Sequence, residues 1–263
     1  MAPALDSSAD AATVWYRLLL HVCIAAGERR VQRLLTCLPQ DSPAEEVFRQ
    51  ASFAVYCHEL LFGYSGNTVH GKLSARMRPA QPEDRWDVQR LYHWATPRLV
   101  VQAEELSDTR SDSLPFAIPI LDSQQGYVLP GPNGEMAGYL HIATGPRGAW
   151  LRLLNQPRGS GTDARSSQAD GRDGAVEMLD HALAVLSAGT PSPIYCTVRE
   201  YEGGIQALLT ERGFAPVSAC SLLVKHTTVQ VREPQRKLVP ALEKRAEVAS
   251  TVSHSESGIA GKG

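Results

Sequence analysis

Apolar and polar positions alternate in two different rhythms along this chain, and together they predict a mixture of helices and strands. Trp15, Leu18, Leu19 and Val22 recur at helical spacing, which predicts a helix that ends near residue 26. Shorter apolar runs bounded by Pro, Gly or polar residues predict strands. The first part of the chain is predicted to contain, after that helix, a strand at 31–38, a helix at 43–51 and a strand at 53–62.

The second part begins after a polar, Gly-rich stretch at 63–72. Its predicted helices lie at 82–95, 99–105, 173–186 and 202–212. Its predicted strands lie at 73–79, 116–121, 127–129, 137–143, 149–155, 194–198 and 217–224. Gly213 is expected to end the last of these helices, because glycine adopts the left-handed cap conformation without steric cost.

Two distant segments of the chain carry the same order of elements and landmarks. Gly27 and Phe53 of the first segment correspond to Gly189 and Phe214 of the second, at an offset of about 160 residues. We interpret this as an internal repeat, with chance agreement of two αβαβ segments as the alternative. The domain organisation is then a half-unit at 1–64, a linker at 65–72, a complete unit at 73–228 and a largely disordered tail at 229–263, with a short helix at 239–248.

Composition excludes several classes of protein. A net charge of −2 gives no electrostatic reason to expect a nucleic acid or an anionic membrane as partner. No apolar run reaches the length of a membrane span, and the first residues lack the pattern of a signal peptide. Five cysteines, mostly within apolar segments, favour reduced buried thiols in a cytoplasmic protein over a disulfide framework. His21, Cys23, Cys57 and His58 point in diverging directions, so we expect no metal site.

The stretch from Pro193 to Lys225 resembles the C-terminal half of GNAT-superfamily N-acetyltransferases, and its sequence is similar to that of a bacterial GNAT-like subfamily. It carries the resemblance through VREYEGG, LLTERGFAPV and LLVKHTT, with a helix that ends in ERGF between two strands. The resemblance implies an α/β (α+β) fold with a mixed, mostly antiparallel sheet flanked by helices, here preceded by a half-copy of the same fold. It also implies acetyl transfer from acetyl-CoA to an amine by direct attack.

In such enzymes a central strand leads into a Gly-rich loop whose backbone amides hold the cofactor pyrophosphate at a helix N-terminus. Here the strand ends in Leu153 and Asn155, and the loop reads Gln156, Arg158, Gly159 and Gly161 in the matching order. These six residues are the candidates for cofactor binding, with the pantetheine arm along 151–155. The polar stretch 162–174 delays the expected helix to about residue 173, so a surface loop with a chance match is the alternative.

The resemblance also implies a proton donor and a base. The tyrosine that commonly stands four residues before the Gly-Phe pair is replaced by Leu209, which cannot donate a proton. Tyr201 and Glu200, where strand 194–198 meets the next helix, and His141 on a neighbouring strand are the catalytic candidates. Packing or surface roles are the alternatives for each of them. We expect a V-shaped gap between the central strands at Trp150 and Ile194.

Two functional hypotheses follow from these residues. One is an acetyl-CoA-dependent N-acetyltransferase that acts on a small-molecule or protein amine. The other is a catalytically inactive module of the same fold that binds a partner or small molecule, which the missing tyrosine and the interrupted loop favour.

Overall fold

The secondary structure alternates between helices and strands along the whole described part of the chain. The computed structural model describes residues 9–64, 66, 71–104, 123–132, 134–156, 166–187 and 193–227. The helices are α1 (Ala9–Glu28), α2 (Pro43–Gln50), α3 (Arg85–Ala95), α4 (Arg98–Glu104), α5 (Ser166–Leu186) and α6 (Ile205–Glu211). The strands are β1 (Arg33–Pro39), β2 (Ala54–Tyr64), β3 (Arg78–Pro79), β4 (Ser123–Pro130), β5 (Met136–Gly145), β6 (Gly148–Asn155), β7 (Ile194–Arg199) and β8 (Ala215–His226).

Local sequence signals explain where several helices begin and end. Ser42 precedes α2 and its side chain accepts a hydrogen bond from the backbone N–H of Ala44, while Pro43 occupies the first helical position. Gly204 precedes α6 with φ at 90°, and Gly213 follows α6 with φ at 83°. Both angles lie in the left-handed region that glycine adopts without strain. The predicted stop at Gly213 is therefore confirmed.

All eight strands form one sheet in the order β1-β8-β2-β7-β6-β5-β4-β3. Every neighbouring pair is antiparallel except β6 and β7, which run parallel. The predicted mixed, mostly antiparallel sheet is thus confirmed, and β7 and β8 belong to the same sheet as the central strands. These two strands are not neighbours, however, because β2 lies between them.

Helices cover both faces of this sheet and bury separate clusters of apolar side chains. Helix α5 packs on β5 and β6 through a fully buried row that includes Met178, Leu179 and Ala182. Helix α3 packs on the opposite face, where Leu91 contacts the cluster that includes Leu154. A third cluster joins α1 and α2 to β8. The central strands are therefore held from both sides.

Helix α5 begins seven residues earlier than its apolar pattern predicts. The polar stretch before Ala175 is helical from Ser166 onward, and Ala175 is part of the apolar core. The sequence of residues 166–174 contains almost no apolar residues, so hydrophobic periodicity cannot reveal these turns of the helix. As a consequence, only ten residues separate the end of β6 at Asn155 from the helix.

Other boundaries also differ from the prediction. Of the strand predicted at 73–79, only Arg78–Pro79 pairs with a neighbour. Upstream of it, the backbone N–H of Ser74 donates to Nδ1 of His181 on α5, so this amide is used by a helix side chain and not by a strand. Strand β4 is longer than the predicted 127–129. The strand predicted at 116–121 and the helix predicted at 239–248 lie outside the described residues.

The half-unit predicted at 1–64 contributes directly to the sheet of the following unit. Strand β8 pairs with both β1 and β2, and β2 also pairs with β7. The element order α, β, α, β therefore occurs twice, and the two pairs of strands alternate within the sheet. A common origin of the two units stays a prediction, as do the domain boundaries.

Two general features of the described residues complete the fold. None of the described helices is both long and apolar enough to cross a membrane. All five cysteines are free thiols; Cys57 and Cys196 are buried, whereas Cys37 is exposed. The expectation of buried thiols therefore holds for the two central cysteines but not for Cys37, which lies on the outermost strand of the sheet.

Replacement of Leu223 by Ala tests whether the first unit is an integral part of the fold. Leu223 is fully buried on β8, between β1 and β2, and packs with residues of α1 and α2. The cavity that the substitution leaves should lower the free energy of unfolding by about 2–5 kcal/mol. Val217→Ala on the same strand removes a side chain that is 58% exposed and should cost less than about 1 kcal/mol. Chemical denaturation of both variants measures the difference, and equal effects would contradict this architecture.

Candidate functional site

Strands β6 and β7 separate after a short paired stretch, and this divergence creates the main cleft. Their pairing covers only Ala149 with Ile194, Trp150 with Tyr195 and Leu151 with Cys196. The rings of Trp150 and Tyr195 lie 4.9 Å apart and close the paired end. The sequence predicts the gap at Trp150 and Ile194, but this position is wrong, because each of these residues pairs with a residue of the other strand. The gap opens beyond Leu151, toward the carboxyl ends of both strands.

The cleft has a volume of about 380 Å³ and mixed walls. The apolar lining comes from both faces of the sheet, with Leu154 and Ala95 on the α3 side and Leu153, Ala175 and Leu208 on the side of α5 and α6. Its polar lining comes from the ends of β6 and β7, with Asn155, Gln156, Tyr201 and Glu202, and from Arg172 of α5. An elongated ligand with an apolar arm and a polar reacting end fits such a space.

Arg152 spans the gap between the two strands. Its Nη1 donates to the carbonyl oxygen of Thr197 on β7 at 3.0 Å, and its Nη2 donates to Oε1 of Glu202 at 2.7 Å. The other carboxylate oxygen of Glu202 accepts the backbone N–H of Arg199 at 2.9 Å. Both side chains of the ion pair are about nine-tenths buried. Arg152 thus replaces the missing ladder contacts and fixes the Glu202 carboxylate at the cleft.

Glu202 is a carboxylate held in an environment of low polarity. Burial raises its pKa above the ordinary value for a glutamate, and the positive charge of Arg152 offsets only part of that rise. A carboxylate with a raised pKa is a stronger base than an exposed one. Since Glu202 also lines the cleft, it can accept a proton from a bound molecule.

A second buried ion pair lies directly beside this one. Arg199, at the end of β7, makes two hydrogen bonds to Glu104 of α4, at 2.6 and 2.9 Å. The hydroxyl groups of Tyr56 and Tyr92 donate to the same carboxylate at 2.8 and 2.5 Å. Burial raises the pKa of Glu104, but the charge of Arg199 and these hydrogen bonds outweigh burial and hold the pKa below its usual range.

Tyr201 connects this network to the cleft. Its hydroxyl oxygen accepts a hydrogen bond from Nη1 of Arg199 at 3.1 Å, and its ring lines the cleft. Burial raises the pKa of the phenol, although Arg199 opposes the rise. The phenol therefore stays protonated at neutral pH and can serve as a proton donor.

The three catalytic candidates named from the sequence lie in different places in the structure. Tyr201 lies at the cleft, but Glu200 is exposed and its Oε1 accepts the backbone N–H of His58 at 3.4 Å, away from the cleft lining. His141 is buried on β5 opposite Arg152, one strand away from the gap, and is not among the lining residues. Burial lowers its pKa. Leu209 belongs to the fully buried core of α6.

The cofactor candidates are also divided. Leu153, Asn155 and Gln156 line the cleft, whereas Arg158, Gly159 and Gly161 lie outside the described residues. Sequence reasoning missed Glu202, Arg152, Arg199 and Glu104. Arg152 offered a signal, since a charged residue within the apolar run AWLRLLN must find a partner when the strand is buried. The positions of its partners in other elements gave no such signal.

Comparison with solved structures identifies the fold. N-myristoyltransferase from Saccharomyces cerevisiae, solved with bound myristoyl-CoA and inhibitors, superposes with a TM-score of 0.52 and 10% identity over 80% of this chain and 55% of that chain. A GCN5-related N-acetyltransferase from Kribbella flavida matches with a TM-score of 0.48 and 12% identity over 80% of this chain and 74% of that one. A functionally unknown protein from Staphylococcus epidermidis ATCC 12228 gives a TM-score of 0.48 and 10% identity, covering 82% and 81%.

This chain therefore has a GNAT-like fold, as its sequence predicts. It spans about half the length of the yeast enzyme that it matches. No known family model matches the sequence, and neither does any curated protein. At these identities the similarity concerns the fold alone.

The substitution Glu104→Gln tests the energetics of the buried network. It keeps the shape of the side chain but removes the carboxylate that accepts two hydrogen bonds from the buried guanidinium of Arg199, which then keeps the carboxylate of Glu59 at 3.5 Å as its counter-charge. We therefore expect a loss of about 3 kcal/mol in the free energy of unfolding at pH 7. The ionised Glu104 stabilises the fold above the carboxyl pKa of the unfolded chain, and this stabilisation disappears as the pH falls through the lower pKa of the folded protein. The difference between variant and wild type should therefore shrink below about pH 4.

Glu211→Gln is the matched control, because it removes an ion pair with Arg172 in which both side chains are 55% exposed. It should cost less than about 1 kcal/mol. Urea denaturation at several pH values measures both variants. A loss for Glu104→Gln no larger than that of the control would contradict the buried ion pair.

Proposed function

We propose that this protein is an acyl-CoA-dependent N-acyltransferase that transfers an acetyl group from acetyl-CoA to an amine. The observation that supports this most directly is the cleft between the diverging ends of β6 and β7, with a buried carboxylate at its polar end. A GNAT-like fold places its central gap at the same point, and the yeast enzyme of similar fold was solved with myristoyl-CoA.

The residues of the cleft fit the pantetheine arm of coenzyme A. Leu153, Ala175 and Leu208 offer apolar walls, and Asn155 and Gln156 offer polar groups at the end of β6. Helix α5 begins ten residues after Gln156, so its N-terminal amides and dipole lie close in sequence to the loop that contains Gly159 and Gly161. This short connection supports an anion-binding role for the loop better than the long one expected from the apolar pattern.

Glu202 is the base in this proposal. An amine in water is largely protonated at neutral pH and must lose a proton before it can attack a thioester. The raised pKa of Glu202 and its place in the cleft lining suit it to accept that proton. Arg152 holds the carboxylate in position, while the thioester is supplied by the bound acyl-CoA.

Tyr201 is the proposed proton donor for the departing thiolate. Leu209 stands where relatives of this fold commonly carry the donor, and it is buried in the core. Tyr201 lines the same cleft, and its hydroxyl is oriented by Arg199. One of the sequence candidates, Tyr201, therefore stays in the proposed mechanism, while Glu202 replaces Glu200 and His141 as base.

One observation favours the alternative of a non-catalytic binding module. The carboxylate of Glu202 is already paired with Arg152 at 2.7 Å, which lowers its basicity. A module that only binds acyl-CoA or a related ligand would need the apolar cleft but no free base. Binding and turnover must therefore be measured separately.

Titration calorimetry with acetyl-CoA and with desulfo-CoA tests the binding step. We expect dissociation constants in the micromolar range for the wild type. Ala207 is exposed and lines the cleft, so Ala207→Trp should fill the cleft with little effect on the fold and weaken binding at least about tenfold.

Gln206→Trp places the same bulk on the neighbouring position of α6, which does not line the cleft, and should leave binding unchanged. Thermal melting of both variants verifies that they fold. An absence of heat with the wild type at millimolar ligand would end the proposal for both candidate functions that involve coenzyme A.

Steady-state kinetics with an amine acceptor test the base. Glu202→Gln should lower kcat/KM by roughly a hundred- to ten-thousandfold, because the variant cannot accept a proton. In the wild type, kcat/KM should rise with pH through the raised pKa of Glu202, since only the ionised carboxylate is a base, and the variant should lose this rise.

Glu200→Gln is the matched control, at an exposed position two residues before Glu202. It should retain the activity and pH profile of the wild type. If Glu200→Gln is the variant that loses activity, the assignment made from sequence is right and Glu202 is only structural. Turnover that is absent in the wild type, with intact binding of coenzyme A, would favour the binding module.

A further inference from the structure

A second cavity of about 380 Å³ lies next to the cleft, on the α3 side of the sheet. It is bounded by the exposed face of α3 and by the residues at the start of β5. Gln156 lines both cavities, so they adjoin at the end of β6. The proposed reaction makes no use of this second cavity.

The charges around this cavity favour a cation. Glu135 is half-buried in its wall, and within the described part of the chain its side-chain carboxylate has no hydrogen-bond or ion-pair partner. Arg90, the positive group of the wall, is already engaged: it pairs with Asp87 at 3.0 Å and its guanidinium lies 4.8 Å from the ring centre of Trp86. The carboxylate of Glu135 therefore remains without a counter-charge from these residues.

The same cavity is also lined by an aromatic side chain, that of Trp94. This side chain remains 56% exposed. The face of an indole ring attracts ammonium groups, and it does so most effectively among the aromatic side chains. Trp94 and Glu135 therefore give this cavity two groups that attract an alkylammonium group, an indole ring and a carboxylate.

The position of this cavity relates it to the acceptor. Ala95, which lines the cleft, follows Trp94 directly in α3, and Arg90 on the far side of the cavity lies five residues earlier, which is about 7.5 Å along a helix axis. We propose that the second cavity binds a cationic group of the acceptor, so that the acceptor is a diamine or a similar molecule with a second ammonium group remote from the reacting amine. This inference rests on the proposed transferase function.

Calorimetry with two amines in the presence of desulfo-CoA tests the inference without turnover. The probes are diaminopentane, with an amine at each end, and pentylamine, which has the same chain and one amine. The wild type should bind the diamine about tenfold more tightly. Trp94→Ala and Glu135→Gln should each remove most of this preference.

Gln89→Ala and Glu83→Gln are the matched controls, because both residues are exposed, lie in or just before α3 and do not line the cavity. They should keep the preference for the diamine. Equal affinity of the wild type for the two amines, or an equal loss in the controls, would overturn the inference.

The titration of desulfo-CoA itself, made with every variant, separates this inference from the proposed function. Intact binding of desulfo-CoA with no preference for the diamine would remove the acceptor assignment and leave the transferase proposal standing. If desulfo-CoA does not bind, the transferase proposal falls. The amine titrations, repeated without it, then decide whether the cavity binds cations: a diamine preference that depends on Trp94 and Glu135 supports the site, and its absence overturns it.

Discussion

The parting of β6 and β7 after only three paired residues is the constraint on which the candidate site depends. Two parallel strands that diverge leave backbone groups without ladder partners, and buried backbone groups must be satisfied in another way. Arg152 does this for Thr197 and continues to Glu202. Arg152, which satisfies a backbone group of the diverging strand, therefore also positions the carboxylate of Glu202 at the cleft.

A second buried ion pair, between Arg199 and Glu104, lies beside the pair of Arg152 and Glu202. Arg199 and Glu104 are each more than nine-tenths buried, and the hydroxyl groups of two tyrosines complete the coordination of the carboxylate. The two carboxylates of this region end with opposite pKa shifts, because Glu104 receives two charged and two neutral hydrogen bonds whereas Glu202 is less fully compensated. Glu104 thus remains ionised and structural, and Glu202 is left closer to a protonation equilibrium.

The sequence was sufficient for the order of the elements and for the GNAT-like sheet, since apolar runs, Gly213 and the Pro-rich break before β7 are local signals. It failed where the signal was not local. The start of α5 has no apolar periodicity, and the insertion of β2 between β7 and β8 depends on pairing between residues far apart in sequence. The same reason limited the site. Tyr201 was found from its position at a strand end, but Glu202 gains its importance from Arg152, fifty residues away.

The candidate site also depends on the first unit, because its strand β2 lies between β7 and β8 in the sheet. Glu59 of β2 lies 3.5 Å from Arg199 and 3.9 Å from Arg152, so a strand of the first unit supplies negative charge to both guanidinium groups of the cleft region. Tyr56, on the same strand, donates to Glu104. A chain without residues 54–64 would lack β2, the neighbour of β7, and would lose part of the charge balance around Arg152 and Arg199. The first unit is therefore part of the electrostatic environment of the candidate site.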